Sequence, residues 1–435
     1  MQITIHRGAH TIGGSCVECS NGDQRIIFDI GSALMEKGGG EIDHLKQENP
    51  SVANGMLPKV QGLYKDDTPK VMAVFISHAH MDHYGLLDHV HPDIPVYLSK
   101  GSNALIETGK IFFPDKSKIF FDHFRTFEHW KPFTIGSFTI TSHLMDHSGF
   151  DASSFLIEAG GKRVFYSGDF RGHGRKAKLL ENFTKHPVKD IDCLLLEGTT
   201  LGGKHQVDYA SEGEVEQGFI DAFAKQKDIS FVTAAGSNVD RLVSLYRATK
   251  RTNKTLVLDL YSYFVLHKLH NLTKGSRLPP HRNDHIRIYY IKNHCKSIVE
   301  HLGIEVLYKF KARKIESAEI VNNRCNIVAK LPLSSMRRIS KELSKEKKLG
   351  DAQYIYSMWK GYLSKDKTHE DFCAEFGTPL HHIHVSGHAY LDDLKGLAQA
   401  INPKKLIPIH TLSGDTFNKY FDNVVRVDDG VPFLA

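Results

Sequence analysis

The chain has 435 residues, of which 41% are apolar and 24% are charged, and its formal net charge is +6. This composition excludes a disordered chain, a fibre and a small domain held by disulfides, and the length predicts two or three domains. No apolar run reaches the roughly 18–20 residues that a membrane-spanning helix needs. The first residues lack the apolar segment of a signal peptide, and the six scattered cysteines favour a reducing, cytoplasmic compartment.

The first 200 residues contain short segments that are rich in β-branched and aromatic residues and are bounded by Gly, Pro, Asp or Asn. Such segments predict strands. They lie at Met1–Ile5, Ser15–Cys19, Arg25–Asp29, Val71–Ser77, Pro95–Leu98, Phe133–Thr141, Ser153–Glu158, Arg163–Ser167 and Asp192–Glu197. Few helical patterns interrupt them, so we expect hairpins and a sandwich of β-sheets in this part of the chain.

Helix and strand patterns alternate from about residue 206 to about residue 380, which is typical of a layered α/β domain. The predicted elements are helices at Glu214–Lys225 and Val239–Lys250 and strands at Ser230–Thr233 and Thr255–Leu258. The last 50 residues predict a strand at Ile383–Ser386, a helix at Ala389–Ala400 and a strand at Leu406–Ile409. These changes of pattern predict three segments, 1–205, 206–384 and 385–435.

Positive charge is concentrated in the middle segment. Residues 206–384 sum to a net charge of +9, whereas the rest of the chain sums to −3. The basic stretches Lys309–Lys314 and Met336–Lys348 fit either solvated helix faces or a surface that binds a polyanion. Aromatic residues at Tyr261, Tyr263 and Phe264 are able to stack on nucleic-acid bases, but in this apolar stretch the pattern favours core packing.

The strongest chemical signal is the segment Ser77–His83 (SHAHMDH), which directly follows an apolar strand. Three histidines and a carboxylate so close together are difficult to satisfy as ordinary core groups, and the remaining alternative is a His-rich surface loop. Imidazole and carboxylate are ligands that Zn²⁺ accepts at catalytic sites. His78 and His80 suit one metal ion, and Asp82 and His83 suit a neighbouring one.

Four residues at strand ends complete a site for two metal ions. His147, in Asp-His-Ser, is the expected third imidazole of the first ion, with His143 as its rival. Asp169 (YSGD) is placed to bridge both ions, and His410 (IPIH) to complete the second. Asp29 (FDIGS) is expected to orient a ligand histidine, as buried carboxylates beside metal sites often do.

The motifs FDIGS, SHAHMDH, DHS and YSGD, in this order, resemble those of the metallo-β-lactamase superfamily. The resemblance implies an α/β fold, an αββα sandwich whose strand-end loops hold two Zn²⁺ ions, with Mn²⁺ or Mg²⁺ as alternatives. It also implies that residues 1–205 and 385–435 form the first and closing parts of one metallo-β-lactamase domain.

The insert between these parts resembles that of the β-CASP nucleases, in particular the ribonuclease J type. Glu197 in LEGTT, His388 in HVSGHA and His410 match the additional motifs of that family. A histidine at the position of His410 goes with RNA-processing members. By resemblance, Ser237, Asn238 and Arg241 bind substrate, and single-stranded RNA is expected in a cleft beside the insert. Ser386 and Gly387 are also expected to bind substrate, because they precede a predicted helix whose N-terminus favours a phosphate.

These residues imply a zinc-dependent ribonuclease in which two metal ions activate water for attack on phosphorus. Asp82, Glu197 and His388 are the expected catalytic residues. His388 is expected to act as general acid or to stabilise the developing negative charge, with Glu197 as its hydrogen-bond partner. The cutting mode is endonucleolytic, 5′–3′ exonucleolytic or both. The alternatives are a DNA nuclease of the same fold and an inactive RNA-binding partner. A weaker signal, the CxxC at Cys16–Cys19, has no second pair of cysteines, which makes a structural zinc site there improbable.

Overall fold

The computed structural model describes residues 1–35, 50–113, 124–202, 208–273, 278–279, 285–344, 349 and 351–435. The chain forms two compact units. The first unit comprises Met1–Ile106, Pro114–His205 and Gly387–Ala435, and the second unit comprises Glu107–Phe113 and Gln206–Ser386. The predicted boundary after residue 205 lies outside the described residues, so its exact position stays a prediction.

The first unit contains two large sheets in its described part. The strands of one sheet, in spatial order, are Pro432–Leu434, Gln2–Arg7, Cys16–Asn21, Gln24–Phe28, Ala73–Phe75, Val96–Leu98 and Phe124–Thr126. Those of the other are Lys405–Ile409, Cys193–Glu197, Lys162–Tyr166, Ser153–Ala159, Phe138–Leu144 and Phe133–Ile135. A small ladder joins Ile12–Gly13 to Ala33–Met35.

The two large sheets enclose one apolar core. Phe28 and Phe75 from the first sheet pack together with ring centroids 5.1 Å apart, and Phe155 from the second sheet lies 5.1 Å from Phe28. Neighbouring residues on a strand point to opposite faces. Leu156, next to Phe155, therefore belongs to a second core on the outer face, where Leu394 and other helix residues cover it.

This arrangement of stacked sheets with covering helices confirms the predicted α/β sandwich. The helices that begin and end within the first unit are Met81–Tyr84, Lys178–Lys185 and Leu391–Ile401, with short 3₁₀ turns at Leu87–His89 and Gly414–Lys419. A further helix, Lys100–Phe112, runs from the first unit into residues assigned to the second.

The second unit is built on a parallel sheet, as its alternating pattern predicted. Its strands, in spatial order, are Lys314–Ile315, Ile286–Tyr289, Thr255–Asp259, Ile327–Lys330, Ser230–Thr233, Gln353–Tyr356 and Leu380–His382. Its helices are Glu212–Ala224, Val239–Arg251, Leu260–Leu272, Lys292–Leu302, Glu305–Phe310, Ser317–Asn322, Leu333–Ser344, Lys360–Leu363 and Thr368–Phe376, with 3₁₀ turns at Lys311–Arg313 and Arg324–Asn326. Tyr263 and Phe264 are buried, which confirms the core interpretation.

Parallel strands bring the chemically important residues to one edge of each sheet. In the second sheet of the first unit, three neighbouring parallel strands end at Tyr166, Glu197 and Ile409. Asp169 and His410 follow directly, so the carboxyl ends of these strands present their side chains to the same space. In the first sheet, Phe28 pairs with Phe75, and the segments that follow carry Asp29 and the histidine motif.

Three local predictions differ from the structure. The predicted strand Phe133–Thr141 is a hairpin that turns at Gly136, whose φ of 55° suits a residue without Cβ. The predicted strand Ile383–Ser386 is wrong, since the strand lies at Leu380–His382. The helix Lys100–Phe112 was not predicted. Among the described residues, none of the helices combines the length and the apolar character needed to cross a membrane.

Candidate metal centre

The turn between the buried strand Ala73–Phe75 and the helix Met81–Tyr84 carries the densest group of polar side chains. The backbone of that helix is held by two other segments. The N–H groups of Gly14, Ile30 and Ser32 donate to the carbonyls of Asp82, His83 and Met81 at 3.0, 2.8 and 3.0 Å. The approach is so close that a Cβ on Gly31 would lie 1.6 Å from the Asp82 carbonyl oxygen. Only a glycine fits at position 31 of the FDIGS motif, because any side chain there would collide with the Asp82 carbonyl.

His78, His80 and His147 form the first group. Nδ1 of His80 lies 2.9 Å from Nε2 of His78 and 3.2 Å from Nε2 of His147. Burial, followed by repulsion from neighbouring histidines, lowers the pKa of His78 and His147 well below the usual value, and burial lowers that of His80 to about 4. Three neutral imidazoles with converging nitrogens are the donor set that Zn²⁺ takes.

Asp82, His83, Asp169 and His410 form the second group, in which the possible ligand atoms lie within 4.8 Å of one another. Oδ2 of Asp82 is 3.2 Å from Nε2 of His410, and Oδ2 of Asp169 is 3.0 Å from Nε2 of His83. The same Asp169 oxygen is 3.8 Å from Nε2 of His78 in the first group. Asp169 is thus positioned between the two groups.

His83 shows that this second group favours a positive charge. Burial alone would lower its pKa, but the carboxylates of Asp169, Asp29 and Asp82 raise it well above the usual value. The negative charge of the three carboxylates is offset by a proton on this imidazole or by a bound metal ion. The donor set therefore fits a divalent cation.

Asp29 fixes the orientation of His83. Its Oδ2 accepts hydrogen bonds from Nδ1 of His83 at 2.8 Å, from the Ser77 hydroxyl at 2.8 Å and from the Tyr166 hydroxyl at 2.6 Å. Asp29 and His410 both have a positive φ, 60° and 50°, a conformation that costs free energy and is often found at functional sites. With Nδ1 bound to Asp29, Nε2 of His83 faces the second group.

His388 lies beside both groups, with its ring centroid 5.2 Å from that of His147 and 5.6 Å from that of His410. Its Nδ1 is 3.3 Å from Oε2 of the fully buried Glu197. Burial lowers the pKa of His388, but the Glu197 and Asp169 carboxylates outweigh it and raise that pKa to about 9. The Glu197 carboxylate therefore favours the protonated form of His388.

Glu197 is held by groups that the sequence did not single out. Its Oε1 accepts the backbone N–H of Phe170 at 3.1 Å, and its Oε2 accepts the Thr199 hydroxyl at 2.8 Å. The same hydroxyl lies 2.8 Å from Nδ1 of His410. Thr199 thus links the Glu197–His388 pair to a candidate metal ligand. The only sequence signal for Thr199 was its position in the LEGTT motif, two residues after Glu197.

Arg241, predicted to bind substrate, has a fully buried side chain, so a direct contact with substrate stays a prediction. Its guanidinium donates to Oε1 of Glu212 at 2.9 Å and to the Ser357 carbonyl at 2.9 Å. The side-chain oxygen of Asn238 caps the helix, because its Oδ1 accepts the backbone N–H of Arg241 at 3.0 Å. For Ser237, which is half-buried, a substrate contact stays a prediction.

The remaining sequence candidates divide clearly. His143, the rival of His147, packs with its ring centroid 5.4 Å from that of Phe183 and is outside both groups. Gly387 packs against the Asp-His-Ser loop, where a Cβ would lie 2.5 Å from the Ser148 hydroxyl, and Ser386 is half-buried. Cys16 and Cys19 are free, buried thiols, and burial raises the pKa of both well above the usual value.

Comparisons with known proteins agree with this geometry. Residues 49–218 match a family described as a beta-lactamase superfamily domain, and residues 378–421 match one described as a Zn-dependent metallo-hydrolase RNA specificity domain. A crystal structure of a protein of unknown function from Enterococcus faecalis V583 has the same fold, with a TM-score of 0.77 over 99% of both chains at 21% identity.

Curated relatives are ribonucleases. Ribonuclease J of Helicobacter pylori 26695 is 23% identical over 59% of this chain, which covers 36% of that protein. Ribonuclease J of Mycoplasma genitalium is 21% identical over 94% of this chain and 67% of that protein. Probable RNase MJ4 of Methanocaldococcus jannaschii is 28% identical over 53% of this chain and 51% of that protein. The chain thus spans only about a third of the length of the Helicobacter relative.

The fold, the His/Asp groups and both family matches agree with the metallo-β-lactamase resemblance predicted from the motifs. The curated relatives named ribonuclease J are consistent with the ribonuclease J type within that superfamily.

Proposed function

We propose that this chain is a metal-dependent ribonuclease that binds two Zn²⁺ ions and hydrolyses phosphodiester bonds of single-stranded RNA in the cytoplasm. The observation that carries the proposal is the pair of ligand groups on either side of Asp169, with His388 and its partner Glu197 beside them. The RNA specificity match at residues 378–421, which includes His388 and His410, and the names of the curated relatives support RNA as the substrate.

Each group is suited to hold one ion. His78, His80 and His147 would hold the first, and Asp82, His83 and His410 the second, with Asp169 reaching both. When bound, the ions would lower the pKa of a water molecule and neutralise charge on the phosphate oxygens. Asp29 serves this arrangement indirectly, because it keeps the His83 ring in one orientation.

His388 is suited to act as the general acid. Because the Glu197 carboxylate favours the protonated imidazole, His388 is able to supply a proton to the oxygen that leaves phosphorus. Departure of the 3′ oxygen leaves products with 5′-phosphate and 3′-hydroxyl ends. Ser386 and Gly387 lie shortly before the helix Leu391–Ile401, whose N-terminal end favours a phosphate group.

The test compares cleavage of a labelled single-stranded RNA with that of the DNA of the same sequence, with and without a chelator. We expect metal-dependent cleavage of the RNA only. Asp82→Ala and His388→Ala should abolish it and leave RNA affinity largely unchanged. Asp93→Ala and His381→Ala, which alter exposed residues outside the site, serve as matched controls.

Each contrary result has a distinct meaning. Cleavage of DNA in place of RNA would assign a DNA nuclease, and RNA binding without cleavage would assign an inactive binding partner. Persistent cleavage by both site variants would place the active site elsewhere. Circular, 5′-monophosphate and 5′-triphosphate RNAs then separate internal cutting from cutting at the 5′ end, because a circle has no end to bind.

A further inference from the structure

Trp359 is an exposed aromatic residue in the second unit that the proposed chemistry does not use. It follows the strand Gln353–Tyr356, and 39% of its surface is exposed in the described structure. Exposing a large indole leaves apolar area in water, which costs roughly 25 cal/mol per Å². Tyr362, one turn further along, is also exposed, at 43%. Neighbouring exposed aromatic residues are typical of binding surfaces.

The indole of Trp359 is held in one position. A Cβ on Gly361 would lie 2.2 Å from the indole atom Cη2, so the ring occupies the space that a side chain at residue 361 would fill. The Tyr362 ring stands edge-on to the indole, with centroids 5.3 Å apart and planes at 89°. The backbone N–H of Tyr362 also donates to the Trp359 carbonyl at 3.1 Å. A side chain fixed in this way loses little entropy when it binds a partner.

The sequence neighbours of the indole are polar and carry charges of both signs. Lys360, Lys365 and Lys367 are exposed, as are the acidic residues Asp366 and Glu370. Nζ of Lys360 is 2.7 Å from Asp208, which neutralises part of the positive charge. Positive charge still dominates residues 206–384 as a whole, which carry +9. An apolar protein partner or a membrane would favour apolar neighbours of the indole, whereas polar neighbours in a basic segment suit a polyanion with flat rings.

We propose that Trp359 and Tyr362 form a stacking site for a base of single-stranded RNA, with the neighbouring lysines facing the phosphate backbone. This inference rests on the proposed function, since it adds a binding site for the same substrate. Stacking on an aromatic ring accepts any base, because every base has a π face. The site would therefore increase affinity for RNA without selecting a sequence.

The test uses the full chain in a chelator, so that RNA is bound but not cleaved. Only two tryptophans are present, and Trp130, which is 57% exposed, lies in the first unit. Trp130→Phe leaves Trp359 as the sole fluorescent indole. We expect a uridine 20-mer to quench its fluorescence and an abasic strand of equal length and charge to have little effect.

Affinity measurements give the matched comparison. Trp359→Ala should weaken binding of the uridine strand by roughly 10-fold, or about 1.4 kcal/mol, and leave binding of the abasic strand unchanged. Gly361→Ala, which displaces the indole but keeps it, should also weaken binding, and Trp130→Ala should not. Both Trp359→Ala and Gly361→Ala should retain the metal content of the parent chain, which shows that the first unit is folded.

Equal affinity of Trp359→Ala and the parent chain for the uridine strand would overturn the inference, as would equal quenching by the abasic strand. Self-association that Trp359→Ala abolishes, without an effect on RNA binding, would assign the surface to a second copy of the chain. Failure of the proposed function is a separate result: no cleavage after metal is restored, while the Trp359-dependent binding persists.

Discussion

Both units bury polar and charged side chains, but the two arrangements differ. In the second unit, opposite charges meet: Nζ of Lys330 is 3.0 Å from Asp259, and Arg241 is 2.9 Å from Glu212. In the first unit, like groups also converge, as the imidazoles of His78, His80 and His147 show. The difference separates structure from function, because paired charges need no further partner whereas converging donors are satisfied by a cation.

The largest expected effect comes from removing Asp169, which lies between the two ligand groups. Asp169→Ala should reduce RNA cleavage at least ~10⁴-fold, as expected when several groups act as a unit. It should also lower the zinc content measured by mass spectrometry. Asp93→Ala, at an exposed position, is the control. Unchanged metal content in Asp169→Ala would contradict the assignment of the two groups.

The second effect tests the paired arrangement. Arg241→Ala removes the positive charge beside the buried Glu212 carboxylate, which keeps the hydroxyl of Ser244, and should lower the free energy of unfolding by about 3–5 kcal/mol. Chemical denaturation monitored by circular dichroism measures the change. Arg247→Ala, on the same helix but with a partly exposed side chain, should cost much less. If Arg241→Ala unfolds like the parent chain yet loses RNA affinity, the original substrate-binding prediction is correct.

The third prediction concerns the carboxylate that orients a candidate ligand. Asp29→Asn keeps the size of the side chain but removes the negative charge that holds Nδ1 of His83 at 2.8 Å. Affinity for zinc should fall about 10–100-fold, as is typical for such partners, which competition with a coloured chelator measures. Asp23→Asn, in an exposed turn, is the control. Equal zinc affinities would show that His83 is oriented without Asp29.

The smallest effect concerns a paired carboxylate of the first unit. Burial would raise the pKa of Glu18, but hydrogen bonds from Arg25 and His6 lower it from 4.5 to about 2. The folded pKa is depressed, so the stabilisation, roughly 2 kcal/mol, is present above pH 4.5 and is lost as the pH falls towards 2. The difference in unfolding free energy between the parent chain and Glu18→Gln, measured in a chelator, should therefore shrink over this range. A difference that does not change with pH would refute the assignment of a depressed pKa to Glu18. Glu158→Gln, at a partly exposed position, is the control.

The parts of the site that could be predicted are those encoded by neighbouring residues. His78, His80, Asp82 and His83 lie within six residues after a buried strand, so one turn brings them together. Asp169 and His410 each follow an apolar segment, and parallel pairing brings those segments to one edge.

Contacts between distant residues could not be predicted. Arg241 follows a strand, as a substrate-binding residue would, but its partners Glu212 and Ser357 lie 29 and 116 residues away. The sequence contains no sign that these three meet in the core. Thr199 and Gly13, which contact His410 at 2.8 and 2.9 Å, were missed for the same reason.

The backbone hydrogen bonds that hold the helix Met81–Tyr84 come from Gly14, Ile30 and Ser32. All three precede residue 49, where the match to the superfamily domain begins. A shortened polypeptide starting at residue 49 would retain every histidine of the first group, yet it would lose the contacts that hold the helix carrying Asp82 and His83. The smallest autonomous metal-binding piece is therefore larger than the segment that matches the superfamily domain.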